Sequence, residues 1–344
     1  MQLITFETAR GPRLGALLNS ELVLDLAQAA EHQGDDGGPL RSMLTLIQAG
    51  EPGLDLVRRL LRASEPAQCL QLSSLRLLAP LPRPEQIRDF ANYELHVRQA
   101  LASSMRLRAN AAPDPEAALT QLQASGMFAI PPVWYERPLY FKCNRFSVVG
   151  PDAVVEWPPF AQKMDYELEL AVVIGKQVRD VSDAEAMDAV FGYTIYNDFS
   201  ARDVQAHESQ FRMGPAKGKD FDTGNVFGPC ITTRDAIADP YALQMSVAVN
   251  GEVKTRTTAA GMQHSIARCI SFLSQSETLY PGEILAMGTV GNGCGYESLS
   301  FLNDGDEVML EVEGIGRLSN RLRRGGRGGG GPATADTLLA AKPE

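Results

Sequence analysis

Apolar positions fall mostly in short alternating runs, and only a few segments carry them at helical spacing. Residues 3–6, 14–18 and 22–26 form three such runs broken by Gly11-Pro12 and Asn19-Ser20-Glu21, which predicts a small antiparallel meander. After the turn-rich segment 33–39, apolar residues recur through Met43, Leu44 and Ile47 and again through Leu54, Leu56, Val57, Leu60 and Leu61, the spacing of two short helices. Residues 75–79 read as a strand. Pro80, Pro82 and Pro84 then interrupt any regular element, which places a domain boundary near residue 82. From Ile87 the chain starts polar and runs into a helix-favouring segment ending around Arg108. Residues 109–137, with Pro113, Pro115, Pro131 and Pro132, read as a surface excursion of the kind that forms lids.

Beyond that point strands dominate, at 139–142, 154–157, 167–174, 192–196, 226–232, 243–250, 284–287 and 308–312. Helices are predicted at 182–190, where Ser182 and Glu185 have capping-box spacing, and at 261–273. Gly314-Ile315-Gly316 closes the last predicted strand. Residues 323–344 form a Gly/Arg-rich tail too poor in apolar surface to offset its ordering entropy, and are expected to be disordered. The predicted fold is α+β and mainly β, with a small N-terminal α+β domain over 1–82 and a larger domain over 83–322.

Composition narrows the function classes. A net charge of -10 repels nucleic acid and anionic membranes, so neither is an expected partner. Five scattered cysteines without a Cys-x-x-Cys pair suit a reducing compartment. No apolar run approaches the roughly 18 residues of a membrane span, and the first residues do not read as a secretory signal. A cytoplasmic location is expected. No Gly-x-Gly-x-x-Gly opens a helix after a strand, so a dinucleotide fold has no support.

The chemistry concentrates between Tyr166 and Lys219. Residues two apart on a strand share a face, so Glu167 and Glu169 project together while Tyr166, Leu168 and Leu170 face the other way. The run Ala171-Val172-Val173-Ile174 that follows reads as core, where carboxylates are costly unless paired or bound to metal. A third acid, Asp198, follows the strand-like run 192–196, and Arg202, Gln205 and Lys219 lie beyond it. Hard oxygen donors favour Mg2+, with Ca2+ or Mn2+ as alternatives. Three carboxylates leave coordination positions open for a substrate with two neighbouring carbonyl oxygens, which the metal would polarise. Arg202 and Lys219 would offset charge developing on an enolate or oxyanion. Each residue alone has a plainer reading: the glutamates as the solvated face of an edge strand, Asp198 as a helix N-cap, Arg202 as surface charge and Lys219 as a loop lysine.

In this order the residues resemble the fumarylacetoacetate hydrolase superfamily over about 85–320. Residues 166–176 are similar to its metal-ligand strand and 192–205 to its signature segment. Residues 218–223, 249–252, 281–283, 287–289 and 314–316 follow in the family's order. The resemblance implies that Glu167, Glu169 and Asp198 bind Mg2+ or Ca2+, and that Arg202, Gln205, Lys219 and Thr289 face the substrate. It also implies a mixed β-sandwich or roll and a homodimer. Residues 92–98 are similar to the family's lid motif, which makes His96 the group that activates water. Asp89 corresponds to a fourth metal ligand of the long members.

Two departures bear on the reaction. Smaller members carry a glutamate three residues after the histidine, and this chain has Gln99, an amide that cannot stabilise imidazolium as a carboxylate does. Long members supply the glutamate from the segment after Gly288-Thr289; Glu297 lies close to that place as the candidate carboxylate, but Ser298 aligns with it, so the assignment is open. The second departure is the glycine-rich run Gly291-Asn292-Gly293-Cys294-Gly295. The leading reading is a divalent-metal-dependent hydrolase cleaving a C–C bond in a 1,3-diketo acid, acylpyruvate or fumarylacetoacetate-like, through a metal-bound enolate. Gln99 favours the alternative of isomerising or decarboxylating a 2-oxo or 2-hydroxydienoic acid in aromatic degradation. A third reading is an inactive member acting as a binding protein through its Arg-Gly tail.

Overall fold

All eight residues of Glu167–Ile174 are buried, which requires cover on both faces and a partner strand on both edges. In the computed structural model, which describes residues 1–325, this strand lies inside a twelve-stranded mixed sheet. In chain order the longer strands are β1 (Gln2–Phe6), β2 (Arg13–Leu17), β3 (Leu22–Asp25), β4 (Ile87–Phe90), β5 (Tyr140–Lys142), β6 (Val154–Trp157), β7 (Glu167–Ile174), β8 (Val190–Asp198), β9 (Asn225–Thr233), β10 (Gln244–Val249), β11 (Glu252–Thr258), β12 (Ile284–Cys294), β13 (Glu307–Val312) and β14 (Gly316–Arg324). The large sheet runs β3-β2-β1-β9-β8-β7-β12-β4-β5 and is completed by two-residue strands; a five-stranded sheet runs β11-β10-β13-β14-β6. The α+β, mainly β architecture expected from the sequence is therefore present.

Alternation along β7 divides the core. Leu168, Leu170, Val172 and Ile174 pack with Val247, Leu310 and Leu318 of the second sheet. Ala171 and Val173 share the opposite apolar layer with Leu46, Val57 and Leu60 of α1 (Met43–Ala63), a helix broken at Gly50 into the two short pieces the spacing predicts. The N-terminal meander joins the same sheet, since β1 pairs with β9 through Leu3 and Ile231.

Three strand ends differ from the sequence reading. Gly314-Ile315-Gly316 does not close the last strand: β14 follows, with Leu318, Asn320 and Leu322 buried between exposed arginines. Arg323 and Arg324, assigned to the tail, are its last residues, paired with Glu156 and Trp157, and Arg324 lies 4.1 Å over the Trp157 ring. The rest of the predicted tail, 326–344, lies outside the described residues. β12 runs on from Met287 to Cys294 through the glycine-rich segment, and the polar β11 answers β10 across Asn250-Gly251. Among the described residues no helix is long and apolar enough to cross a membrane.

Leu170→Ala should cost about 2–5 kcal/mol because it empties a fully buried position. Val253→Ala, at a side chain 46% exposed on β11, should stay within about 0.5 kcal/mol. Urea unfolding of the two variants compares them.

Candidate active site

Asp89 on β4, Glu167 and Glu169 on β7 and Asp198 at the end of β8 bring four carboxylates together, each offering an oxygen within 4.8 Å of the others. None is more than 5% exposed. The edge-strand reading of the glutamate pair fails because β7 is flanked by β8 and β12, with Glu169 opposite Tyr196 on one side and Thr289 on the other. Asp198 is not an N-cap either: Ala201 holds that place before α2 (Arg202–Glu208). Arg202 and Lys219 are buried rather than surface charges.

Their partners explain the burial. Lys219 Nζ donates to Glu167 Oε2 at 2.6 Å and to Asp198 Oδ2. Arg202 donates to Glu167 Oε1 at 2.6 Å, to Asp165 Oδ2 at 2.8 Å and to Gln205 Oε1 at 3.0 Å. Burial pushes the Glu167 carboxyl up, but Arg202 and Lys219 outweigh it and hold the group below the usual range, with His96 near enough to add to the effect. Asp89 and Glu169 have no such cation. Burial first, and the neighbouring carboxylates second, push both well above the usual range. Burial also raises Asp198 despite Lys219.

Glu169 accepts from Gly288 N at 3.1 Å and Thr289 Oγ1 at 3.2 Å. Gly288 has φ 91°, and a Cβ there would lie 2.2 Å from Phe90 O. The hydroxyl of Thr289, expected to face substrate, donates its proton to Glu169 and keeps its acceptor lone pairs. Asp89 Oδ1 and Asp198 Oδ1 are buried without a hydrogen-bond partner among the described residues. Four carboxylates against two cations, with orphaned oxygens in their midst, fit a divalent cation that prefers hard oxygen ligands.

His96 sits in the first turn of a helix, Glu94–Asn110, that lies against β12. Its Nδ1 is 2.9 Å from Glu297 Oε1, in the turn Gly295–Ser298. Glu297 Oε2 accepts from Cys294 N at 3.2 Å, whereas Ser298 Oγ donates to Gly295 O. The carboxylate beside His96 is therefore Glu297. Gln99 is occupied elsewhere, donating to Asn292 Oδ1 at 2.7 Å and accepting from Asn292 N at 3.3 Å. This pairing accounts for Asn292 of the glycine-rich run. A Cβ on Gly291 would come 2.5 Å from Leu95, so the glycine lets the helix carrying His96 approach the strand.

The sequence reading missed Asp165. Fully buried, it accepts from Gly295 N at 2.8 Å and Tyr296 N at 2.9 Å as well as from Arg202, and so ties the carboxylate cluster to the turn that bears Glu297. The signal was present, since Asp165, Glu167 and Glu169 occupy every second position. Arg202 also lies 5.1 Å over the Tyr296 ring. A cavity of about 490 Å³ adjoins this turn, lined by Tyr166, Lys254, Asn292, Cys294 and Glu297 among others, and by none of the four clustered carboxylates.

Residues 86–323 match the family described as fumarylacetoacetate (FAA) hydrolase C-terminal. The chain is 32% identical over 284 residues to oxaloacetate tautomerase Fahd2a, mitochondrial, of Rattus norvegicus, covering 82% of this chain and 80% of that protein. It is 32% identical over 332 residues to oxaloacetate tautomerase YisK of Bacillus subtilis (strain 168), covering 94% and 100%. It is also similar to the solved structure of maleylpyruvate hydrolase from Sphingobium sp. SYK-6 in complex with manganese (II) ion and pyruvate, with TM-score 0.66, 25% identity and coverage of 95% and 100%.

Calorimetry tests the cluster. Mg2+ at about 100 times its Kd should stabilise the protein by about 2.7 kcal/mol. Glu169→Gln should lose that gain, while its metal-free form should unfold at a higher temperature than metal-free wild type, because one crowded carboxylate is neutral. Protons held by raised carboxyls must leave on binding, so at one fixed Mg2+ concentration the wild-type gain should be larger at about pH 8 than at about pH 6.

Proposed function

Because the chain belongs to the fumarylacetoacetate hydrolase family, we propose that it is an enzyme that moves a proton on an enolisable 2-oxo acid, interconverting keto and enol forms of a 2-oxo dicarboxylate of the oxaloacetate type. The observation that carries this reading is the His96–Glu297 pair, 2.9 Å apart, beside a buried carboxylate cluster. The two tautomerases of matching length support the choice of reaction. Asp89, Glu167, Glu169 and Asp198 would hold a divalent cation, Mg2+ first and Mn2+ or Ca2+ as alternatives, that supplies Lewis-acid polarisation of a substrate carbonyl.

The chain's own residues supply the proton transfer. Glu297 accepts a hydrogen bond from Nδ1–H of His96, which leaves the lone pair on Nε2 as the base. His96 removes a proton from the carbon next to the carbonyl; the C–H electrons form the C=C bond as the C=O π pair moves onto the oxygen, and the imidazolium, stabilised by Glu297, gives the proton to that oxygen. The reverse sequence ketonises the enol. Lys219 and Arg202 temper the negative charge around the reacting carbonyl.

Hydrolysis of a 1,3-diketo acid is a second reading, and one observation favours it. Gln99 suggested a weakened water-activating pair, but Glu297 supplies the carboxylate that Gln99 lacks. The same dyad suits deprotonation of water. A binding protein without activity has no use for a complete dyad beside crowded carboxylates.

The experiment follows loss of enol absorbance from oxaloacetate with Mg2+-loaded protein. Catalysed ketonisation is expected, abolished by chelation and reduced about 10²- to 10⁴-fold in His96→Gln. Absence of acceleration would overturn the proposal. Incorporation of 18O from labelled water into the acid released from an acylpyruvate would put hydrolysis in its place.

A further inference from the structure

We propose that His96, Cys294 and Glu297 form a second cation site, selective for zinc-like ions, whose occupation switches the enzyme off. The three residues come from the helix Glu94–Asn110, the end of β12 and the turn after it, and their ligand atoms lie within 4.8 Å of one another. His96 Nδ1 is 2.9 Å from Glu297 Oε1 and 3.9 Å from Cys294 Sγ. A tetrahedral Zn2+ with its usual bond lengths separates nitrogen, sulfur and oxygen ligands by roughly 3.3–3.6 Å, so small side-chain adjustments suffice.

The donor sets of the two clusters sort ions between them. Four carboxylates suit Mg2+, whereas one imidazole, one thiolate and one carboxylate suit a borderline ion such as Zn2+ and make a neutral site with it. Cys294 and Glu297 both line the cavity of about 490 Å³, which gives an entry path and room for water as the fourth ligand. The supporting contacts exist already: Cys294 N donates to Glu297 Oε2, and Ser103 Oγ donates to Glu297 O at 3.0 Å.

Binding there has a defined chemical consequence. The ion takes the Nδ1 lone pair, so the neutral imidazole carries its proton on Nε2, and the thiol proton passes to solvent. His96 then has no lone pair to offer a substrate, and Glu297 is drawn onto the ion. This inhibitory effect rests on the proposed role of His96; the site itself does not.

The test titrates Mg2+-loaded protein with Co2+, whose bond to a thiolate gives a ligand-to-metal charge-transfer absorption that carboxylates do not. The band should appear in wild type and in Cys143→Ala, which controls for a second thiol close enough to Asp89 and Asp198 to feel their charge, and be absent in Cys294→Ala. Cys294→Ala should retain turnover and require at least about 10-fold more Zn2+ for the same inhibition, the lower end of what loss of even an outer partner costs a metal site. Absence of the band in wild type, or its persistence in Cys294→Ala, would overturn the site. A Cys294-dependent band in a protein without tautomerase activity would leave the site standing and refute the functional reading instead.

Discussion

Four carboxylates held side by side away from water set the terms for the rest of the site. Two unit charges about 4 Å apart interact by about 4 kcal/mol at the effective dielectric of a protein, so each added acid must be matched by a cation or a donor. Lys219 and Arg202 answer for Glu167, and Lys219 also reaches Asp198. Asp89 and Glu169 have no paired cation among the described residues, Glu169 taking only the neutral donors Gly288 N and Thr289 Oγ1, and what opposes their escape to solvent is the sheet, because β4, β7 and β8 are interior strands with both faces covered. The fold holds the cluster in a state that a divalent cation would relieve.

The His96–Glu297 pair is attached to that cluster through specific contacts. Asp165 binds Arg202 with one oxygen and the turn bearing Glu297 with both. Glu169 leans on Gly288 and Thr289 of β12, and the same strand holds the helix of His96 through Asn292 and Gln99. Displacing β12 would therefore disturb Glu169 and His96 together. Gln99, which in the sequence looks like a damaged catalytic position, acts as a clamp between helix and strand.

Some of this was legible in the sequence for a plain physical reason. Glu167 and Glu169 stand at period-two spacing ahead of an apolar run, and a carboxylate pair entering a core strand calls for a partner. Asp89 and His96 came only from resemblance, because the parallel pairing of β4 with β12 joins segments almost two hundred residues apart and leaves no local mark. Glu297 and Ser298 could not be separated while the irregular register of β12, which pairs Thr289 with Glu169 and Cys294 with Glu167, was unknown. β14 was missed because its arginines resemble the tail that follows, although Leu318, Asn320 and Leu322 keep the alternation of a half-buried strand.

The central claim, that the buried carboxylates are a divalent-cation site, is tested most directly by anomalous diffraction from crystals grown with Mn2+. The expected result is one strong manganese peak bonded to carboxylate oxygens of Asp89, Glu167, Glu169 and Asp198. A cluster without a peak at saturating Mn2+, with Lys219 still spanning Glu167 and Asp198, would contradict it.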